Sequence, residues 1–344
     1  MEKILLLAFT ETDGTLGKPG LEVLSAALKI REGLAGAELV VGLVGAKVGP
    51  AAGQIVGCSP SRILGVEGEH FSQSRYGTDA AAAEAICKAA EATIILAAGT
   101  ARANRVLSGV AHRLQGNADT HVCGVDVADG ALKVTRWYYR QRMQAVLQRS
   151  SRPWVIICDP SSFAPWTGSS RDDAFEAVAV PVPDSMRTTV TGTQAPASGA
   201  QTIRPDTEVL FVAGAGWTKS QADGKVKVNE AEPLILGFLD LTKASLGGSK
   251  SMVDLAGEGQ QVLSFMTHLN QIGQTGATPR HPKGLATCCH GEEPHAVGWR
   301  FINERRAINK DPNCGWAQGK ADVLYVEDAF AVMARVNELL KESK

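Results

Sequence analysis

Four segments of the chain carry residue types that could do chemistry. The first is AGAGWTKS (213–220), directly after an apolar run. Gly214 and Gly216 could bring backbone N–H groups against a phosphate. The loop lacks the third glycine of a dinucleotide fingerprint, and Thr218 stands before Lys219 where a Walker loop needs glycine. A phosphate contact and a plain strand-to-helix turn both stay open. The second is QIGQTG (271–276), with Ser249-Lys250 upstream. Gln274 and Thr275 between glycines could hydrogen-bond a flat heteroaromatic ring, and a nearby lysine could stabilise negative charge on that ring when reduced. An ordinary polar turn uses the same residues. The third is Cys288-Cys289-His290, with His281, His295 and Cys314 within reach in sequence. Zinc needs about four N or S ligands, adjacent cysteines serve it poorly, and no C-x-x-C pair occurs. A Cys–His nucleophile pair rests on residue type alone. The expected reading is a strand, Leu285–Cys289, whose thiols act as small apolar side chains. The fourth is KVTRWYYRQR (133–142), four cations interleaved with three aromatics. Stacking on single-stranded nucleic acid is one use. Strand alternation, with aromatics and cations on opposite faces, favours a subunit contact instead.

Alternating short apolar runs and alanine-rich helical stretches must position these segments. Strands are expected at Lys3–Phe9, Leu39–Gly45, Arg62–Val66 and Thr93–Ala98, with helices at Leu21–Leu34, Gly49–Val56, Thr78–Glu91 and Ala101–Leu114. This βαβα rhythm implies a parallel sheet with helices on both faces. His121–Val127, Ala131–Tyr139, Gln144–Arg149 and Trp154–Cys158 then read as strands, with Asp129-Gly130 as a hairpin turn, extending one sheet edge in antiparallel fashion. Residues 161–207 read as a connector. A second α/β unit follows, with a strand from Val209, helices at Ala231–Leu241, around Gln260–His268 and at Ala329–Lys341, and strands at Leu285–Cys289, Ala307–Asn309 and Val323–Val326. The fold class is α/β with two doubly wound domains, 1–165 and 208–344, joined by a linker at 166–207.

Composition narrows the function classes. A chain of 344 residues suggests about two domains. Lysine and arginine (35) nearly cancel aspartate and glutamate (36), so no general nucleic-acid or membrane-surface binder is expected. No apolar run approaches the ~20 residues of a membrane span, and Ile4–Phe9 is too short for a signal-peptide core. Seven scattered cysteines read as reduced thiols of a cytoplasmic-type compartment.

At QIGQTG the chain resembles the α subunit of electron-transfer flavoproteins. Arg204-Pro205, a strand and AGAGWTKS are similar to that family's Arg-Pro, strand and SGGRGxKS loop. LGGSKSMVD (246–254) is similar to its VGASRxxVD segment, and QIGQTG matches almost letter for letter. Pro282 and His295 follow at the family's spacing. Asn309 lies inside AINKDP (307–312), similar to the INKDP signature, and Asp328 falls where the family has an acidic residue in its final strand–helix turn. RVLSGVAHRL (105–114) and Thr135-Arg136 have looser counterparts. The resemblance spans the whole chain and is most specific over 204–344.

The resemblance implies a non-covalent FAD in the C-terminal domain, and a separate β subunit that completes a heterodimer through the N-terminal domain. It implies electrons received from a flavin dehydrogenase and passed to a quinone reductase or other acceptor, with no nucleic acid and no direct membrane insertion. A bacterial cytoplasm is the expected location, ahead of a mitochondrial matrix. By the same resemblance, Thr275 lies beside the flavin N5 with Gln274 and Gly276 near. His295 sits by the pyrimidine edge and favours anionic reduced forms. Lys250 replaces an arginine near the ring, Ser249 and His290 serve the phosphates with the Gly214–Gly216 loop, and Asn309 and Asp328 hold the AMP half. No metal and no substrate chemistry are implied; such a chain tunes a potential and presents the flavin edge.

The departures are specific. Gly216-Trp217 stands where the family has Arg-Gly, and Lys250 loses planar bidentate geometry. CCHGEEPH (288–295) replaces GISGAIQH, so Pro294 removes an N–H donor and Glu292 and Glu293 bring negative charge toward a pyrophosphate. The alternative function is therefore a non-redox assembly subunit of the same fold, with weak or lost FAD binding.

Overall fold

The computed structural model describes residues 1–139, 143–170, 174–182, 187–192, 203–204, 207–249, 251–254, 261–273, 276–288 and 301–343. It divides into two compact units, Met1–Gly192 and Thr193–Lys344. In the first, strands β1 (Lys3–Phe9), β2 (Glu38–Gly45), β3 (Arg62–Glu67) and β4 (Ile94–Ala98) alternate with helices α1 (Lys18–Gly33), α2 (Gly49–Ile55), α3 (Tyr76–Ala89) and α4 (Ala101–Arg113). Ile4–Leu7 is buried throughout because helices cover both faces of the sheet, which is why its run is continuous rather than alternating. Two apolar clusters, one per face, form the core. Helix α4 begins where the Thr100 side chain accepts the Ala103 N–H at 3.2 Å.

The strand-rich section supplies β5 (Asn117–Ala128), β6 (Ala131–Tyr138), β7 (Met143–Leu147) and β8 (Trp154–Cys158). Asp129 (φ 56°) and Gly130 (φ 71°) turn β5 into β6 with two left-handed residues, as a two-residue hairpin requires. Among the described residues the sheet order is β7-β6-β5-β8-β4-β1-β2-β3-β9, where β9 is Glu176–Ala177. Three sequence expectations change here. Trp154–Cys158 is not part of the antiparallel edge: it inserts between β4 and β5 and pairs parallel with both. Its wholly buried WVIIC run belongs inside a parallel sheet. Aromatics and cations do not separate by face on β6, since Arg136 and Tyr138 are two residues apart and the guanidinium stacks 4.4 Å from the ring centroid. The stretch read as connector from 161 is also structured. Ser161 N–H donates to the buried Glu22 carboxylate at 2.6 Å, Trp166 N–H donates to Leu21 O at 3.0 Å, and β9 pairs with β3.

The second unit holds β10 (Val209–Ala213), β11 (Ser245–Gly248), β12 (Lys283–Thr287), β13 (Glu304–Ile308) and β14 (Val323–Tyr325), with α5 (Val228–Thr242) and a C-terminal helix, Ala329–Glu342. The described strands are all parallel, in the order β11-β10-β12-β13-β14. The mixed architecture, a large sheet with an antiparallel part and a second parallel sheet, is the α/β doubly wound class expected. The helix expected around Gln260–His268 does not form over the described residues 261–267. Thr267 and Asn270 instead build a reciprocal cap on the short turn His268–Asn270, and Asn270 Nδ2 donates to Leu246 O at 3.2 Å. That local hydrogen bonding competes successfully with the apolar spacing of Leu263 and Met266.

Candidate functional site

In a parallel sheet of this order the chain runs outward in one direction from β10 to β11 and in the other through β12 to β14. The crevice at the carboxyl ends of β10 and β12 lies where the winding reverses, the place such sheets bind ligands. A cavity of about 270 Å³ lies along this carboxyl edge. Its lining includes Gly216, Lys219, Cys288, Asn309, Lys310 and Asp328.

The glycine-rich loop is fixed against β12. Gly214 N–H donates to Thr287 O at 2.8 Å and Gly216 N–H to Cys288 O at 3.1 Å. A Cβ on Gly216 would come within 2.7 Å of the Cys288 Cβ, so this glycine is set by the close approach of two backbones. Trp217 is fully buried beneath it. Strand β12 ends at Thr287, two residues before the end of the expected Leu285–Cys289 strand: Cys288 is left-handed (φ 55°), half-buried, and faces the crevice rather than continuing the strand. Burial, reinforced by the Asp328 charge, pushes its thiol up to about 12, so it stays protonated.

Asn309 and Asp328 come from the ends of β13 and β14. Asn309 N–H donates to Tyr325 O at 3.1 Å and its Oδ1 accepts the Asp311 N–H at 3.0 Å. Asp328 caps the C-terminal helix, accepting the N–H groups of Phe330 (2.8 Å) and Ala331 (3.3 Å), and pairs with Lys310 Nζ at 2.7 Å. Burial works to raise the Asp328 carboxyl, but Lys310 and the helix N–H groups hold it below the usual range; the carboxylate in turn raises Lys310.

A second group gathers at the end of β11. Ser249 is fully buried and its carbonyl accepts the Met252 N–H at 3.2 Å. Gln271–Gly273 docks beside it: Ile272 N–H donates to Gly248 O at 3.0 Å, and Gly273 N–H to Ala277 O at 2.9 Å. A side chain on Gly276 would run into the Gln271 carbonyl. The fold thus brings Gly216, Asn309 and Asp328 to one crevice, with Gly214 buried at the start of the loop behind it, and Ser249 and Gly276 to the adjacent strand end of the same sheet. Lys250, Gln274, Thr275, His290 and His295 lie outside the described residues. Sequence reasoning passes over Lys219 because the loop fails the Walker pattern, and Lys310 because its neighbour Asn309 draws the attention. Position in AGAGWTKS and AINKDP is the available signal for each.

The residues present fit a nucleotide. The cavity, about 270 Å³, falls just below the ~300–1,000 Å³ range of ligand sites, and it offers carboxylate and amide groups beside two ammonium groups. Among the described residues no helix is long and apolar enough to cross a membrane. Residues 4–185, more than half of the chain and nearly all of the first unit, match the family model for the electron transfer flavoprotein domain. The chain belongs to the electron transfer flavoprotein family.

Proposed function

We propose that this chain is the α subunit of a heterodimeric electron-transfer flavoprotein, holding FAD in its second unit and passing electrons from a flavin dehydrogenase to a quinone reductase or another acceptor. The observation that carries the reading is the crevice at the winding reversal, which gathers Gly216, Asn309 and Asp328 from segments far apart in sequence. Asn309 and Asp328 would hold the nucleotide half, with the Gly214–Gly216 loop toward the phosphates. Ser249, Lys250, Gln274, Thr275, Gly276, His290 and His295 would serve the phosphates and the flavin. The bound group supplies reversible acceptance of electrons; the chain binds it, excludes water from one side and sets its charge environment. Heterodimer formation through the first unit is supported by the edge strand β7. Exposed there and on the preceding turn are Tyr139 (73%), Met143 (57%) and Val146 (66%), an uncovered apolar edge of the kind proteins bury against partners. A cytoplasmic location is part of this reading.

A non-redox assembly subunit is the second reading, favoured by Pro294, Glu292 and Glu293 in CCHGEEPH. Co-expression with a β-type subunit tests the two. Near-stoichiometric FAD released from the purified complex supports the carrier. A stable, colourless heterodimer that stays empty with added FAD supports the assembly subunit.

A further inference from the structure

The two ammonium groups of the crevice are not equally available. Lys310 Nζ lies 2.7 Å from Asp328 Oδ2, and the same carboxylate caps the C-terminal helix. The positive end of that helix, where an external phosphate would otherwise settle, is therefore already met by the chain's own carboxylate. Lys219 differs. It is exposed at the cavity and has no ion pair among the described residues. Its backbone is nonetheless held on both sides. Gly216 is locked to Cys288, Gln221 Nε2 donates to both Gly216 O and Lys219 O at 2.9 Å, and Ser220 bridges to Val226. A cation with no ion pair among the described residues, carried on a fixed loop, is suited to fixing where an anion sits, at little further cost in backbone ordering.

We infer that Lys219 is the anion-positioning residue of this crevice, drawing the phosphate of a nucleotide to the glycine-loop end and leaving the Asp328 carboxylate to hydroxyl donors. The inference rests on the FAD reading for its ligand class. The test is calorimetric titration of the full chain with AMP and with adenosine at low ionic strength, for the wild type, Lys219→Gln and Lys219→Arg. Because a charge-assisted hydrogen bond is worth about a tenfold preference, the wild type should bind AMP about tenfold tighter than adenosine. Lys219→Gln should erase that preference with adenosine affinity and thermal midpoint unchanged, and Lys219→Arg should restore most of it. A preference that survives in Lys219→Gln, or a wild type with no preference or no binding, overturns the inference. FAD retention, measured on the same proteins, separates the two claims. FAD held by the wild type with no Lys219 dependence of AMP binding sinks Lys219 alone. A Lys219-dependent AMP preference without FAD retention sinks the FAD reading and leaves Lys219 standing.

Discussion

Trp217 Nε1 donates to Thr287 Oγ1 at 2.7 Å, both groups fully buried, and Thr287 Oγ1 in turn donates to Val212 O at 3.1 Å. The bond ties the glycine-rich loop to the end of β12. The indole also packs on Phe330, 4.6 Å between ring centroids, at the first turn of the C-terminal helix. One side chain thus sets three walls of the crevice relative to one another. A smaller residue there would leave loop, strand end and helix start free to shift.

Replacing Trp217 should therefore cost stability in the second unit. Trp217→Ala is expected to lose about 3–5 kcal/mol and Trp217→Phe about 1–3 kcal/mol, the latter from the lost hydrogen bond and partial void. Urea unfolding of the full chain, followed by a reporter in each unit, checks this. A loss confined to the first unit would contradict the placement.

The contact between Gly216 and Cys288 predicts non-additivity. Gly216→Ala forces a Cβ to within 2.7 Å of the Cys288 Cβ, an overpacking worth about 1–3 kcal/mol. Cys288→Gly removes that atom and relieves a left-handed non-glycine residue. The alanine should then cost clearly less in the Cys288→Gly background than in the wild type. Equal costs in a double-mutant cycle would show that the two residues do not meet.

In the first unit Asp119 is 1% exposed and accepts from Arg136 (2.9 Å), Trp154 Nε1 (2.9 Å) and Arg149. Burial works to raise its carboxyl, but Arg149, Trp154 and Arg136 hold it below the usual range. A carboxylate lowered on folding contributes stability that is fully present above its unfolded value, about 3.9, and is lost as pH falls through the folded value. Asp119→Asn should cost about 3 kcal/mol at neutral pH by leaving two guanidiniums uncompensated. Below about pH 4 the variant should lose less further stability than the wild type. Parallel acid titrations of stability would refute this.

Asp328→Ala removes a helix cap and the partner of Lys310 together. About 1 kcal/mol of stability should be lost from the missing cap. FAD retention should fall further than that loss explains, because the carboxylate faces the crevice. Asp328→Asn keeps a capping oxygen and should recover the stability without recovering the retention. If both variants retain FAD like the wild type, Asp328 lies outside the site.

Much of this is legible where a residue's local chemistry and its tertiary role agree. The apolar run Lys3–Phe9, the Asp129-Gly130 turn and the register of Ala329 after Asp328 each state their own structure. Trp154–Cys158 is misplaced by its pattern because a short buried run does not say which neighbours it will pair with. Phe175 reads as connector, yet it packs against Gly65, which has no side chain to obstruct the ring. That is a contact across about a hundred residues that no local pattern encodes. The left-handed turn at Cys288 is hidden for the same reason. Only the glycine facing it from another strand end makes room for its side chain. The gathering of Gly216, Asn309 and Asp328 follows from motif resemblance, whereas the pairing of Lys310 with Asp328 needs the sheet order.

The central claim is that this chain carries FAD in the crevice of its second unit together with a β-type partner. The most direct measurement is the anaerobic reductive titration of the co-purified heterodimer, followed through its visible flavin absorbance and scored against released FAD. One FAD per heterodimer, bleached reversibly by reductant and diminished in Asp328→Ala, is the predicted result. A folded heterodimer with no flavin band, unchanged by added FAD, would contradict it.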